Sequence, residues 1–256
     1  MRKLDREQYL DRIGYTGEAS PTADVLGALQ EAHLLAVPFE NLDIQRGIKI
    51  VLATESLFDK IVTHRRGGFC YELNGLFHVL LLDIGFRTRI VSGRVFDAER
   101  NQFGAEFDHM ALLVNVENRT WLVDVGFGDF SSRPLEFRLN EPREDATGMY
   151  LFQQRRGGNF MISRYSEKDR EYIPQYAFST AARRLQDFEA MCLYHQTSPE
   201  SHFTRHTVCS IATATGRTTL TQDRLIVTAH GRREESAIGN EREFRRVLLE
   251  HFRIML

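Results

Sequence analysis

The chain has little of what marks a membrane, secreted or nucleic-acid-binding protein. No stretch reaches the ~18 apolar residues of a membrane span, and the opening MRKLDREQYLDRIGY lacks the unbroken apolar core of a signal peptide. Cysteine is scarce. Cys70, Cys192 and Cys209 are an odd number without C-x-x-C spacing, which argues against a disulfide framework and a thiolate zinc cage and leaves at least one thiol free. An excess of one charge is also missing: 33 basic against 35 acidic residues give a formal net charge of −2, so no basic field favours nucleic acid or an anionic membrane. There are no internal repeats, low-complexity tracts or obvious linkers. What is present is a 256-residue chain, 42% hydrophobic, able to bury a large core. It reads as a cytoplasmic globular protein with a discrete small-molecule or protein partner.

Apolar periodicity orders the chain. Residues 21–36, PTADVLGALQEAHLLA, place Val25, Leu26, Leu29, Ala32 and Leu35 near helical spacing, with Pro21 suited to the first turn. Leu73, Leu76, Phe77, Leu80, Leu81 and Ile84 make a second helical face that Gly85 stops, predicting a helix over about 70–84. From residue 86 the period changes. FRTRIVSGRVF, HMALLVNVENRTWLVDV, MYLFQQ and NFMISRY are short β-branched or aromatic runs split by Gly, Asn and Asp, as in antiparallel strands. After about residue 185, DFEAMCLYHQ predicts a helix, TVCSIATATGRTTLTQDRLIVT strands turning at Gly216 and Asp223, and EREFRRVLLEHF a closing amphipathic helix. The order is helices (1–85), β structure (86–184) and mixed α/β (185–256), an α+β chain packed as one unit.

Three residues can supply nucleophilic chemistry. Cys70, in RRGGFCYELN, falls in the first turn of the second helix, where unpaired N–H groups and the positive end of the helix dipole lower a thiol pKa. Arg65 and Arg66 can add to that field, while Gly67 and Gly68 permit a tight turn and a close approach to substrate. Taken alone, Cys70 fits a small buried hydrophobe equally well. His109, in EFDHMALLV, stands where a loop meets an apolar strand, and Asp124, in TWLVDVGFG, ends the next strand. A hairpin turning near residues 117–118 brings Asp124 within reach of His109. Thiol attack needs an adjacent imidazole to take the proton and a carboxylate to fix that imidazole's tautomer. Elsewhere, HFTRH spaces His202 and His206 four apart but lacks the Glu of HExxH and a third ligand, so no metal site is expected. His64, His78, His195 and His230 have no distinctive context.

On RRGGFCYELN, VPFENL (37–42), DHMALLV (108–114), DVGFG (124–128) and SPESHF (198–203), the sequence resembles the arylamine N-acetyltransferases over nearly its whole length. The resemblance implies a Cys70–His109–Asp124 triad, similar to that of cysteine proteases and transglutaminases, on a three-part fold of N-terminal helical bundle, central antiparallel β-barrel and C-terminal α/β lid. It implies acetyl-CoA as co-substrate and no metal. A ping-pong cycle through a Cys70 thioester would serve an arylamine, arylhydrazine or N-hydroxyarylamine acceptor. Phe39, Phe127 and Phe203 match positions lining the acceptor and pantetheine pocket, although 18 phenylalanines make core packing the plainer account of each. Gly126 and Gly128 are too few for a nucleotide loop and are expected to let the chain pass close to that pocket. Glu40 and Arg66 read as an ion pair bracing the Cys70 loop. Tyr71 is expected at the pocket edge, while Arg232 and Arg233 fit a CoA phosphate site and a solvated surface equally and are left unassigned.

Other activities share these residues. Relatives on the same fold release polyketides from a carrier protein as amides, and a Cys-His-Asp hydrolase or a non-catalytic binding module would keep much of the same pattern.

Overall fold

A computed structural model describes residues 5–256; the first four residues of the opening stretch, where the 1–85 segment begins, lie outside the described residues. The N-terminal part carries helices α1 (Arg6–Ile13), α2 (Ala23–Ala36), α3 (Leu42–Gln45), α4 (Thr54–Phe58) and α5 (Cys70–Ile84), with a two-residue strand β1 (Phe39–Glu40) between α2 and α3. Thr22 Oγ1 accepts the Val25 N–H at 3.3 Å, so α2 begins at Ala23 and Pro21 lies ahead of the cap, outside the expected first turn. Gly85 ends α5 in the left-handed conformation (φ 107°), as its position after Ile84 predicts.

The middle of the chain forms an antiparallel sheet: β2 (Arg87–Asp97), β3 (Gln102–Phe103), β4 (His109–Val116), β5 (Arg119–Val123), β6 (Leu135–Glu136), β7 (Pro142–Asp145), β8 (Gly148–Gln154), β9 (Asn159–Ser166) and β10 (Glu171–Ser179). Strand order β6-β5-β4-β2-β10-β9-β8-β7 curls into a nearly closed barrel whose two ends approach where Arg143 comes within 3.9 Å of Glu136. Alternation along β4 explains how helices and barrel share one strand. Ala111 and Leu113 point into the barrel beside Phe152, Ile162 and Tyr176, while Met110, Leu112 and Val114 pack toward α5.

The remainder holds α6 (Glu189–Thr197), α7 (His202–Arg205), strands β11 (Val208–Thr213), β12 (Gly216–Thr221), β13 (Arg224–Ala229) and β14 (Arg232–Ala237), and α8 (Glu241–Phe252). These strands form an antiparallel sheet in the order β1-β11-β12-β13-β14, so the N-terminal β1 closes a C-terminal sheet. Val247, Leu248 and Phe252 of α8 cover Cys209 and Leu220. The fold is therefore α+β, with a helical bundle, a barrel and an α/β lid. Among the described residues no helix is long and apolar enough to cross a membrane.

Candidate active site

Local backbone chemistry puts Cys70 at the head of α5. Gly67 and Gly68 permit the tight turn and are also required by packing within the protein. A Cβ on Gly67 would fall 2.0 Å from the Pro38 carbonyl oxygen, and one on Gly68 2.9 Å from Glu72 Oε2. Glu72, third residue of the helix, accepts the Phe69 N–H at 3.1 Å and fixes the entry turn. The amides of Cys70 and Tyr71, first in the helix, have no acceptor within it.

The turn at Glu117 and Asn118 has positive φ at both residues (52° and 58°), giving a two-residue hairpin with Val116 opposite Arg119. The strand ends at Val123, so Asp124 lies just past the last paired residue. His109 and Asp124 still meet: His109 Nε2 donates to Asp124 Oδ2 at 2.7 Å. A carboxylate can only accept, so Nε2 carries the hydrogen and Nδ1 is left as the ring's acceptor. Asp124 is 1% exposed and takes three further donors: Asn74 Nδ2 (2.9 Å), the Gly126 N–H (2.9 Å) and the Tyr176 hydroxyl (3.0 Å). A carboxylate satisfied by four donors in this way holds the imidazole's orientation.

Asn74 joins these groups to Cys70. One turn after the cysteine on the same helix, it also donates to the Met110 carbonyl (2.7 Å) and accepts the Val125 N–H (3.0 Å). The loop then passes so close that a Cβ on Gly126 would be 2.7 Å from Cys70 Cα. Cys70, His109 and Asp124 are thus brought to one place, each buried. Neither Asn74 nor Tyr176 is marked by a motif of its own in the sequence. The signal for Asn74 is its spacing of four from Cys70; Tyr176 sits on a strand without regular alternation.

The expected depression of the Cys70 thiol is reversed. Burial pushes it well up, the Met110 N–H opposes that, and the charges of Asp124 and Asp108 add to the rise. Arg66 does not face the thiol. It binds Glu40 (2.8 Å) and Asp43 (2.9 Å), which realises the ion pair expected with Glu40 and extends it. Lys60, on a π-helical turn (Asp59–Thr63), joins the same buried cluster through Asp43 and Glu72, each at 2.8 Å. Three carboxylates face two cations there. Burial pushes Glu72 up to about 7, with Lys60 opposing and Glu40 adding.

The aromatic expectations divide. Phe127 covers the triad, its ring edge-on to His109 at 5.1 Å and 5.0 Å from Tyr176. Phe39 and Gly128 line a narrow crevice with Val37, Val125, Ser210 and Arg217. Phe203 does not line that cleft; it packs against Phe39 (6.1 Å), Phe69 (5.7 Å) and His195 (5.2 Å). Tyr71 is not at a pocket edge. It is fully buried, its hydroxyl donating to the Phe107 carbonyl at 2.7 Å. Arg232 and Arg233 are exposed on β14. Among the described residues no three metal-ligating side chains converge; the His202 and His206 rings stand 4.5 Å apart.

A thiol, a carboxylate-anchored imidazole and free amides at a helix start define the machinery of a cysteine-dependent acyl transferase. A family model described as N-acetyltransferase matches residues 22–256. Arylamine N-acetyltransferase 2 of Mesocricetus auratus is 34% identical over 234 residues, covering 83% of this chain and 79% of the relative. The solved arylamine N-acetyltransferase of Salmonella typhimurium superposes with a TM-score of 0.91 at 29% identity, over 97% of this chain and 90% of that one. That of Mycobacterium marinum in complex with CoA gives 0.89 at 32%, over 98% and 93%. The chain belongs to the arylamine N-acetyltransferase family and is an acyltransferase.

Proposed function

We propose that the chain transfers acetyl groups from acetyl-CoA to arylamines, arylhydrazines or N-hydroxyarylamines by a ping-pong cycle, with Cys70, His109 and Asp124 as the catalytic residues. The Cys70 proton passes to His109 Nδ1 and the thiolate attacks the thioester carbonyl. The tetrahedral oxyanion is met by the amides at the head of α5. Its collapse expels the CoA thiolate, which takes the proton from His109 and leaves an acetyl thioester on Cys70. The amine nitrogen then attacks that thioester, gives its proton to His109, and releases Cys70 as the amide or ester departs. Asp124 steadies the imidazolium in both halves.

One observation carries this reading: Asp124 fixes His109 through Nε2 and, through Asn74, is tied to the helix that begins at Cys70. The Mycobacterium marinum relative solved with CoA supports a CoA thioester as donor. Phe39, Phe127, Phe203, Gly126 and Gly128 are assigned to the walls and rim of the substrate site, with no metal in the chemistry. The odd number of free thiols supports a reducing, cytoplasmic setting.

The test is intact mass after brief, acid-quenched exposure to acetyl-CoA without acceptor, with Cys70→Ser as control. One added acetyl group, missing in the variant and discharged by an arylamine, is expected. An adduct on Cys70→Ser would overturn the assignment of the nucleophile. No adduct on the wild-type enzyme, without release of free CoA thiol, would overturn acetyl-CoA as donor.

A further inference from the structure

His195 carries no motif, yet it is 6% exposed and touches three separate parts of the molecule. Its Nδ1 lies 3.1 Å from Ser201 Oγ, the hydroxyl that caps α7 by accepting the Phe203 N–H at 3.2 Å. Its Nε2 lies 3.2 Å from Asp108 Oδ1, the residue before His109. That contact is at ion-pair distance but off the line of a hydrogen bond, and no other described group is hydrogen-bonded to this nitrogen. The imidazole lies nearly parallel to Tyr71 at 6.1 Å (28°) and edge-on to Phe203 at 5.2 Å.

These contacts matter because of what Phe203 stands on. The helix α7 has four residues, too few to hold itself by its own hydrogen bonds. Its position comes from outside. Asn41 Nδ2 and Gln45 Nε2 donate to the Phe203 carbonyl at 2.9 and 2.6 Å from the bundle side. On the barrel side, His195 links Ser201 to Asp108. The Phe203 ring is therefore held between Phe39 and Phe69 on one flank and the His195 imidazole on the other.

We propose that His195 is a positioning residue that fixes Phe203, through Ser201 and Asp108, and thereby sets the affinity for the aromatic acceptor. This rests on the acetyl-transfer reading and on Phe203 facing the acceptor. Removing the imidazole leaves a space beside Phe203 the size of a ring and unties α7 from the strand that carries His109. No hydrogen bond joins His195 to Cys70, His109 or Asp124, so acetylation of Cys70 is not its business.

The test loads Cys70 with p-nitrophenyl acetate, an activated ester that needs no CoA site, and uses a para-substituted aniline as acceptor. Failure of acetyl-CoA as donor therefore remains distinguishable from failure of this inference. For His195→Ala the acceptor KM is expected to rise about tenfold, while the nitrophenolate burst without acceptor and kcat at saturating acceptor stay within about threefold of wild type. For His195→Gln, whose amide spans an acceptor and a donor, the KM is expected to return to within about threefold. An unchanged KM in His195→Ala overturns the inference. So does a burst that falls as far as kcat/KM, which marks a general structural role, or a glutamine variant no better than alanine.

Discussion

Asn74 Nδ2 reaches Asp124 Oδ1 at 2.9 Å from a position one helical turn beyond Cys70. The helix that presents the nucleophile thus also holds the carboxylate that orients the base. With its contacts to the Met110 carbonyl and the Val125 N–H, this single amide joins α5, β4 and the loop after β5. The relative placement of the three catalytic candidates is set inside one buried hydrogen-bond network.

Asp124→Asn puts an amide where four donors converge. It is expected to lower kcat by roughly 10³–10⁴-fold, the scale of loss when a triad carboxylate becomes an amide that favours the wrong imidazole tautomer. Steady-state kinetics beside a thermal melt check this. Loss of activity confined to samples that have also lost cooperative melting would assign the effect to folding.

Because burial pushes the Cys70 thiol up, its reactivity near neutral pH depends on a base to take the proton. His109→Ala is expected to slow alkylation of Cys70 by iodoacetamide at pH 7 by about tenfold or more, and to shift the remaining reaction to alkaline pH. Peptide mapping of the alkylated cysteine gives the rate at each pH. Equal rates in both proteins would show that the thiolate forms without the imidazole.

The two glycines of the GFG segment have different demands. A Cβ on Gly126 meets Cys70 Cα at 2.7 Å and the Cys70 carbonyl at 3.1 Å, and neither backbone atom can move aside cheaply. At Gly128 nothing lies within 4 Å, and the only obstacle is its φ of +95°. Gly126→Ala is expected to abolish Cys70 acetylation and to cost about 3 kcal/mol or more of stability. Gly128→Ala should cost ~1–2 kcal/mol and keep measurable transfer. Denaturant unfolding and the acetylation assay rank the pair.

Glu72 sets a pH dependence of stability. Its folded pKa of about 7 lies above the ordinary glutamate value, because burial outweighs Lys60. Between the ordinary value and about 7, the folded state holds a proton that the unfolded chain has released. Stability from this group therefore falls as pH rises through that window. Glu72→Gln removes the excess carboxylate, and the slope of Tm against pH between 5 and 7.5 is expected to flatten relative to wild type. An unchanged slope would place the titrating group elsewhere.

Much of this site can be read in the sequence where burial has one period. Cys70–Ile84 shows a clear apolar face and a terminal glycine, and the β4–β5 hairpin shows two apolar runs around a polar turn. The reading stops where tertiary packing decides. The first two turns of α5 are buried on every side, so Glu72 and Asn74 look like solvent-facing residues in an amphipathic pattern and are in fact internal ligands of the fold. In β10, Pro174 adjoins an irregularity in register with β9, which breaks the alternation that would have revealed Tyr176. The edge strand β14 is exposed along its whole length and carries no apolar signal at all. His195 acquires its neighbours from α5 and the segment before β4, both remote in sequence, as well as from the following α7.

The two residues of β1 have a consequence for how the enzyme comes into being. Phe39 and Glu40 pair with Ser210 and Cys209 on one side, and the Glu40 N–H donates to the Gly68 carbonyl on the other at 2.9 Å. The loop leading to the nucleophile and the β11–β14 sheet are thus spliced through one short segment. The segment before Cys70 therefore has its neighbour β1 completed only once β11, about 170 residues further on, has paired with it, a contact of high sequence separation.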